Sequence, residues 1–204
     1  MRSILKENLT IIISSPSGAG KTTVTREIIK KLKNSYLSVS CTTREPRVGE
    51  KNKKDYFFVS KNHFLYLKKK NAFLETAKVF GNYYGTLKSQ LNNKKKKIVL
   101  LDVDWQGARS IRKKIKKNCY SFFLLPPSIK ELKRRLITRH KDNKSIAIKR
   151  ISYARKDIKY WTEYDYAIVN KKLNFCVKEI INQINNIIDN NLKKKKITKL
   201  IKNF

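Results

Sequence analysis

The stretch TIIISSPSGAGKTTVTREIIKKL, Thr10–Leu32, decides how the rest of the chain is read. It begins with an apolar run, Thr10 to Ile13, of the kind a buried parallel strand needs because both of its faces are covered. It ends with Val24, Ile28 and Leu32 at steps of four, the spacing of an amphipathic helix. Between them, Gly18 and Gly20 let the backbone turn N–H groups inward, and the start of the helix adds its positive end, which together make an anion cradle. Lys21 can then reach the β- and γ-phosphates of a nucleotide, and Thr22 can offer a hydroxyl to Mg²⁺. Such loops usually open on a glycine. Ser15 stands there instead, so an ordinary strand-to-helix turn stays open as the alternative.

Further strands of the same texture are IVLLDVD (Ile98–Asp104), YSFFLLPP (Tyr120–Pro127, stopped by its double proline) and the short YAIVN (Tyr166–Asn170). A helix is predicted from Ser128, a plausible cap, to Thr138. Leu173, Val177, Ile180, Ile184, Ile187 and Ile188 line one face of a last long helix. Strands alternating with helices predict an α/β fold, a parallel sheet with helices on both faces. Between Ser40 and Gln90 the texture changes to an inserted lobe, in which DYFFVS reads as an exposed antiparallel strand. The polar stretch from Arg134 to Arg150, with Arg134, Arg135, Arg139 and Arg150, reads as a mobile flap. The expected layout is a single domain over 1–204: core 8–39, 91–130 and 156–192, inserted lobe 40–90, flap 131–155 and basic tail 193–204.

Composition bounds the function. With 204 residues, 40% of them hydrophobic, the chain can bury a core. It has no apolar run of the ~18 residues that would span a bilayer, and its first residues lack a secretory signal, so a cytoplasmic protein without a membrane partner is expected. Cys41, Cys119 and Cys176 are odd in number and far apart, which supports neither a disulfide framework nor zinc, and His63 and His140 stand alone. The net charge of +34 invites an RNA-binding reading. The lysine runs are scattered, however, and lack the aromatic interleaving of a single-strand platform. Solvated faces explain them, and no specific nucleic-acid partner is expected. Self-association into a homo-oligomer is left open.

The inserted lobe holds groups suited to a phosphate monoester: Arg44 and Arg47, two forked cations three residues apart, and the hydroxyls of Tyr56 and Tyr84. Surface salt bridges are the alternative for the arginines. Glu75, in AFLETA, is an acid flanked by Phe73 and Leu74 in a basic neighbourhood. A carboxylate accepts two parallel hydrogen bonds, and guanine presents N1–H and its N2 amino group side by side, whereas adenine has an acceptor at N1. On spacing alone Glu75 equally suits a salt bridge on a helix.

SVSCTTREPRVGE, KDYFFV, FLETA, VFGNYYGT, LLDVDWQGA, FLLPPS and YDYAIVN, in this order behind SSPSGAGKT, resemble guanylate kinase, a P-loop nucleoside monophosphate kinase, over the span from Thr10 to Leu192. The resemblance implies a P-loop NTPase-type core, a mixed α/β GMP-binding lobe and a helical lid over ATP. It implies transfer from ATP to GMP, and to dGMP, with Mg²⁺, in GMP recycling and purine metabolism. It places Ser17, Gly18, Ala19, Gly20, Lys21, Thr22, Thr23 and Asn170 on ATP, Thr22 on Mg²⁺ and Asp102 behind the metal. Ser40, Glu75, Thr86 and Asp104 would meet guanine. Arg44, Arg47, Tyr56 and Tyr84 would hold the GMP phosphate, and Lys21, Arg44, Arg135, Arg139 and Arg150 would surround the moving phosphoryl. The family's loop often lacks the first glycine, which answers Ser15. Departures are Lys53 and His140 at usual glycines, Lys171 at a usual aspartate, Thr86 at a frequent serine, and missing acids in DNKSIA. They bear on lid closure and ATP affinity.

Overall fold

The computed structural model describes residues 8–91, 97–139 and 144–201, with the side chains of Arg139 and of 193–201 outside that description. The chain opens with β1 (Leu9–Ser14), α1 (Lys21–Lys31) and β2 (Ser35–Leu37). It leaves for a lobe of β3 (Cys41–Thr42), β4 (Phe57–Phe58), α2 (Lys61–Lys69), β5 (Phe73–Val79) and β6 (Asn82–Leu87). It returns through β7 (Ile98–Asp102), α3 (Trp105–Lys114) and β8 (Cys119–Leu125), forms α4 (Ile129–Arg139) and α5 (Lys144–Ile158), and continues with β9 (Tyr166–Val169) and α6 (Leu173–Ile201).

Five strands form an all-parallel sheet in the order β2-β7-β1-β8-β9. The apolar run of β1 is explained by its central place: Ile11 and Ile13 face a layer with Val24 and Ile28 of α1 and Val177, Ile180 and Ile184 of α6. Ile12 faces the opposite layer, with Ala108 and Ile111 of α3. Ile11, Ile12 and Ile13 are fully buried, each worth roughly 1.5–3 kcal/mol of transfer free energy. Helices therefore cover both faces, as the strand and helix alternation predicts. Both neighbours of β1 come later in the chain, so the loop after β1 emerges where the strand order reverses, the crevice where open α/β sheets hold ligands.

The lobe has a second sheet in the order β4-β3-β6-β5. Here DYFFVS differs from expectation. Only Phe57–Phe58 are strand, they are half-buried, and they pair with β3 in parallel. The long connection from 43 to 56 lets the chain re-enter in the same direction, and Phe57 packs beside Cys41, Phe64 and Phe73. Phe64 of α2 stacks on Phe73 at 4.5 Å and on Tyr83 at 5.4 Å, which ties helix to sheet.

The stretch read as a mobile flap is largely two helices. Ser128 Oγ accepts the Glu131 N–H at 3.1 Å and starts α4, and Leu132, Leu136 and Ala154 bury one another between α4 and α5. His140 and the start of DNKSIA lie outside the described residues. The segment expected as a tail continues α6 as far as Ile201. Lys53, at the usual family glycine, has φ 64°, a left-handed backbone that a β-carbon disfavours.

Candidate active site

The β1–α1 loop is shaped by its glycines twice over. Gly18 and Gly20 have φ of 87° and 93°, and a β-carbon on either would collide, with Leu136 of α4 at 2.9 Å or with Asn170 Nδ2 at 2.7 Å. Asn170, buried after β9, donates to Ala19 O at 2.8 Å and fixes the loop from the far side. Gly20 brings no side chain to cap α1, whose first turn holds no acid, so backbone N–H groups and the exposed Thr22 and Thr23 front the crevice. Ser15 Oγ turns back onto Pro16 O at 2.9 Å. Lys21 Nζ donates to Val103 O at 2.9 Å and pairs with Asp102 at 2.5 Å, at the end of β7.

The carboxylate of Glu75 lies on β5, not on a helix, and the residue is only 4% exposed. Its Oε1 accepts from Thr86 N at 2.9 Å and Thr86 Oγ1 at 2.8 Å, and Ser40 Oγ lies 3.2 Å from that hydroxyl. Its Oε2 faces the start of α3, where a β-carbon on Gly107 would come within 2.8 Å. Asp104 caps that same helix, taking the Gly107 N–H at 2.8 Å. Burial, helped by the charge of Asp104, raises the Glu75 carboxyl to about 7 against the pull of the Thr86 bonds. Burial likewise raises Asp104, opposed by the Gly107 N–H and by Lys21. Ser40, Glu75, Thr86 and Asp104, far apart in sequence, are thus drawn into one cluster around the Glu75 carboxylate.

Beside it, Arg44 NH2 reaches both oxygens of Glu50, at 3.0 and 2.8 Å, and its guanidinium lies 5.5 Å from the Tyr56 ring centroid. Arg47 donates its N–H to Glu50 at 2.9 Å. Although burial opposes it, the Arg47 N–H and the Arg44 guanidinium hold Glu50 below the usual carboxylate range. Tyr84 meets Tyr56 edge-on at 6.0 Å, and burial pushes the Tyr56 hydroxyl upward, so it stays a donor.

From above, Arg135 of α4 approaches the loop, its NH1 3.9 Å from where a β-carbon on Gly20 would stand, and its Nε is held by Glu131 at 2.7 Å. Arg150 of α5 lies over the Phe80 ring at 4.8 Å, while the side chain of Arg139 is outside the described residues. Sequence reasoning missed Glu50, Gly107 and Phe80. The signals were present in GE after TTREPR, in the small pair after the helix-capping Asp104, and in a phenylalanine preceding the glycine of VFGNYYGT. Cys41, Cys119 and Cys176 are free thiols pushed up by burial, to about 11, 12 and 11, which removes them as nucleophiles.

Among the described residues no group of three or more His, Cys, Asp or Glu could hold a metal by itself. The oxygens of Thr22 and Asp102 are hard donors that suit Mg²⁺ completed by phosphate and water.

The guanylate kinase family model matches residues 7–190. Guanylate kinase of Clostridium tetani is 44% identical over 178 residues, 86% of this chain and 85% of that one. Guanylate kinase of Coxiella burnetii is 39% identical over 199 residues, 96% of each. The crystal structure of guanylate kinase from Anaplasma phagocytophilum matches with a TM-score of 0.74 at 34% identity, covering 88% of this chain and 85% of that one. The matched span takes in the parallel core, the inserted lobe and both helices above the loop, and the chain belongs to the guanylate kinase family.

Proposed function

We propose how this kinase, which converts ATP and GMP to ADP and GDP, divides the work among its residues. A GMP phosphate oxygen attacks the γ-phosphorus of ATP in line, and no side-chain base is needed because that oxygen is already anionic. Ser17 to Thr23 cradle the ATP phosphates, and Asn170, tied to Ala19, borders the adenine. Arg44, Arg47, Tyr56 and Tyr84 hold the GMP phosphate. Lys21, Arg44, Arg135, Arg139 and Arg150 set positive charge around the phosphoryl in flight. Mg²⁺, held by Thr22 with Asp102 behind it, would neutralise phosphate charge when bound. Leu136 over Gly18 helps exclude water from the transfer.

The observation that carries the base assignment is the buried Glu75 carboxylate, with Oε1 engaged by Thr86 and Oε2 facing the cap of α3. Guanine offers two adjacent donors to such an acceptor; adenine would set an acceptor against it. None of the residues assigned to GMP is dedicated to a ribose hydroxyl, which supports dGMP as a second acceptor. Cytoplasmic nucleotide recycling fits the free thiols and these substrates. The test is ADP release with ATP and Mg²⁺ against GMP, dGMP, AMP, UMP and TMP. GMP and dGMP should turn over, and AMP turning over as well as GMP would overturn the base assignment.

A further inference from the structure

Phe80 occupies a place that a tight hairpin does not favour. β5 and β6 pair up to Val79 and Asn82, which leaves Phe80 and Gly81 as the two loop residues, with φ of 50° and 84°. Two left-handed residues in succession make the hairpin turn that prefers Asn-Gly, since a bulky side chain in this conformation crowds its own backbone. The ring is engaged nonetheless. The Arg150 guanidinium lies 4.8 Å from its centroid, and Tyr153, one turn further along α5, meets it edge-on at 5.0 Å. These contacts join the hairpin that carries Glu75, Tyr84 and Thr86 to the helix that carries Arg150. A ring face attracts a guanidinium without consuming any of its N–H donors, so the contact orients Arg150 and leaves its hydrogen bonding to other partners. Backbone strain kept at such a junction points to use.

We propose that Phe80 is a positioning residue: its ring, braced by Tyr153, aims the Arg150 guanidinium, so that the hairpin holding GMP and the arginine-bearing helix dock as one unit. This rests on Arg150 acting on the transferring phosphoryl, as assigned above. Phe80→Asn separates catalysis from structure, because asparagine suits the turn but has no ring. The expected result is a kcat lowered about tenfold, with KM for GMP within about twofold of the parent and Tm unchanged or higher. Phe80→Tyr, which keeps the ring, should retain kcat within about twofold. In an Arg150→Ala background, Phe80→Asn should cost nothing further, because the two act through one contact. Unchanged kcat in Phe80→Asn beside a slow Arg150→Ala enzyme would overturn the proposal and leave the assignment of Arg150 standing. An additive loss in the double variant would overturn it too. Full turnover by Arg150→Ala would remove the assignment itself.

Discussion

Replacing Glu75 by glutamine turns one carboxylate oxygen into an amide nitrogen where neighbours dictate which one. Thr86 donates to Oε1 through its N–H and its hydroxyl, at 2.9 and 2.8 Å, and holds the amide oxygen of the variant there. The new NH₂ then stands in place of Oε2, beside Gly107, and turns two donors toward the two donors of guanine. Bonds to a charged acceptor are worth about 1.5–3 kcal/mol each, so losing both should lower kcat/KM for GMP about 10²- to 10⁴-fold, while KM for ATP stays as it was. Stability should move the other way. Burial and the Asp104 charge raise the Glu75 carboxyl from 4.5 to about 7. An acid raised on folding binds more protons in the folded state across that window, so stability falls from pH 4.5 to 7 and the full penalty applies above it. That penalty is about 3 kcal/mol at pH 8, and the glutamine escapes it while leaving one amide donor poorly satisfied, at about 1–2 kcal/mol. The variant should therefore melt about 2–8 °C higher at pH 8 and lower than the parent below pH 4.5. Thermal melts of the free protein at both pH values, with steady-state kinetics on GMP, check this. Unchanged use of GMP, or a variant less stable than the parent at pH 8, would refute the reasoning.

Three further outcomes follow from single observations. KM for GMP should rise about tenfold per pH unit below 7, because only the ionised Glu75 accepts from guanine, and a flat profile between pH 6 and 8 would contradict it. Gly107→Ala places a methyl 2.8 Å from Glu75 Oε2 and should raise KM for GMP about tenfold without affecting ATP; equal kinetics would show that the carboxylate has room to move. Lys53→Gly relieves the left-handed strain, about 1–2 kcal/mol, against about 0.4–1 kcal/mol of added unfolded-chain entropy. A calorimetric gain of about 0.5–1 kcal/mol is expected, and a loss would show that Lys53 holds the turn by contacts of its side chain.

The parts of the molecule legible in the sequence are those whose cause is local. Gly18, Gly20 and Lys21 act within one turn of chain, and the Ile run of β1 needs only its own apolarity to announce a buried strand. What stayed hidden depends on contacts made across the fold. Two residues of β4 cannot declare a direction, because that is set by the loop from 43 to 56. The helix from Ser128 announced itself, as α4, but α5 looked like part of a polar flap because little more than Ala147 and Ala154, with the partly buried Ile151 and Ile158, turns inward from it. Gly107 reads as a small helical residue until the carboxylate from β5 is laid against it, and Glu50 reads as a surface partner until both arginines turn to it.

The scarce acids say more about the site than the abundant bases do. The chain carries 15 Asp and Glu against 49 Lys and Arg, yet three of the cations assigned to the crevice, from three separate parts of the chain, are each held by a carboxylate. Asp102 holds Lys21, Glu50 holds Arg44, and Glu131 holds Arg135 together with Arg134; the hydrogen bonds from Arg134 and then Arg135 bring Glu131 down to about 2. On a surface this basic, mutual repulsion and side-chain entropy would otherwise scatter such long side chains, and charge that points in many directions stabilises no particular transition state. A carboxylate at the side of a guanidinium fixes its direction before substrate arrives, and its remaining donors can still face a phosphate. Removing such an anchor leaves the cation in place but lets it swing, so the loss belongs in kcat more than in the affinity for either nucleotide.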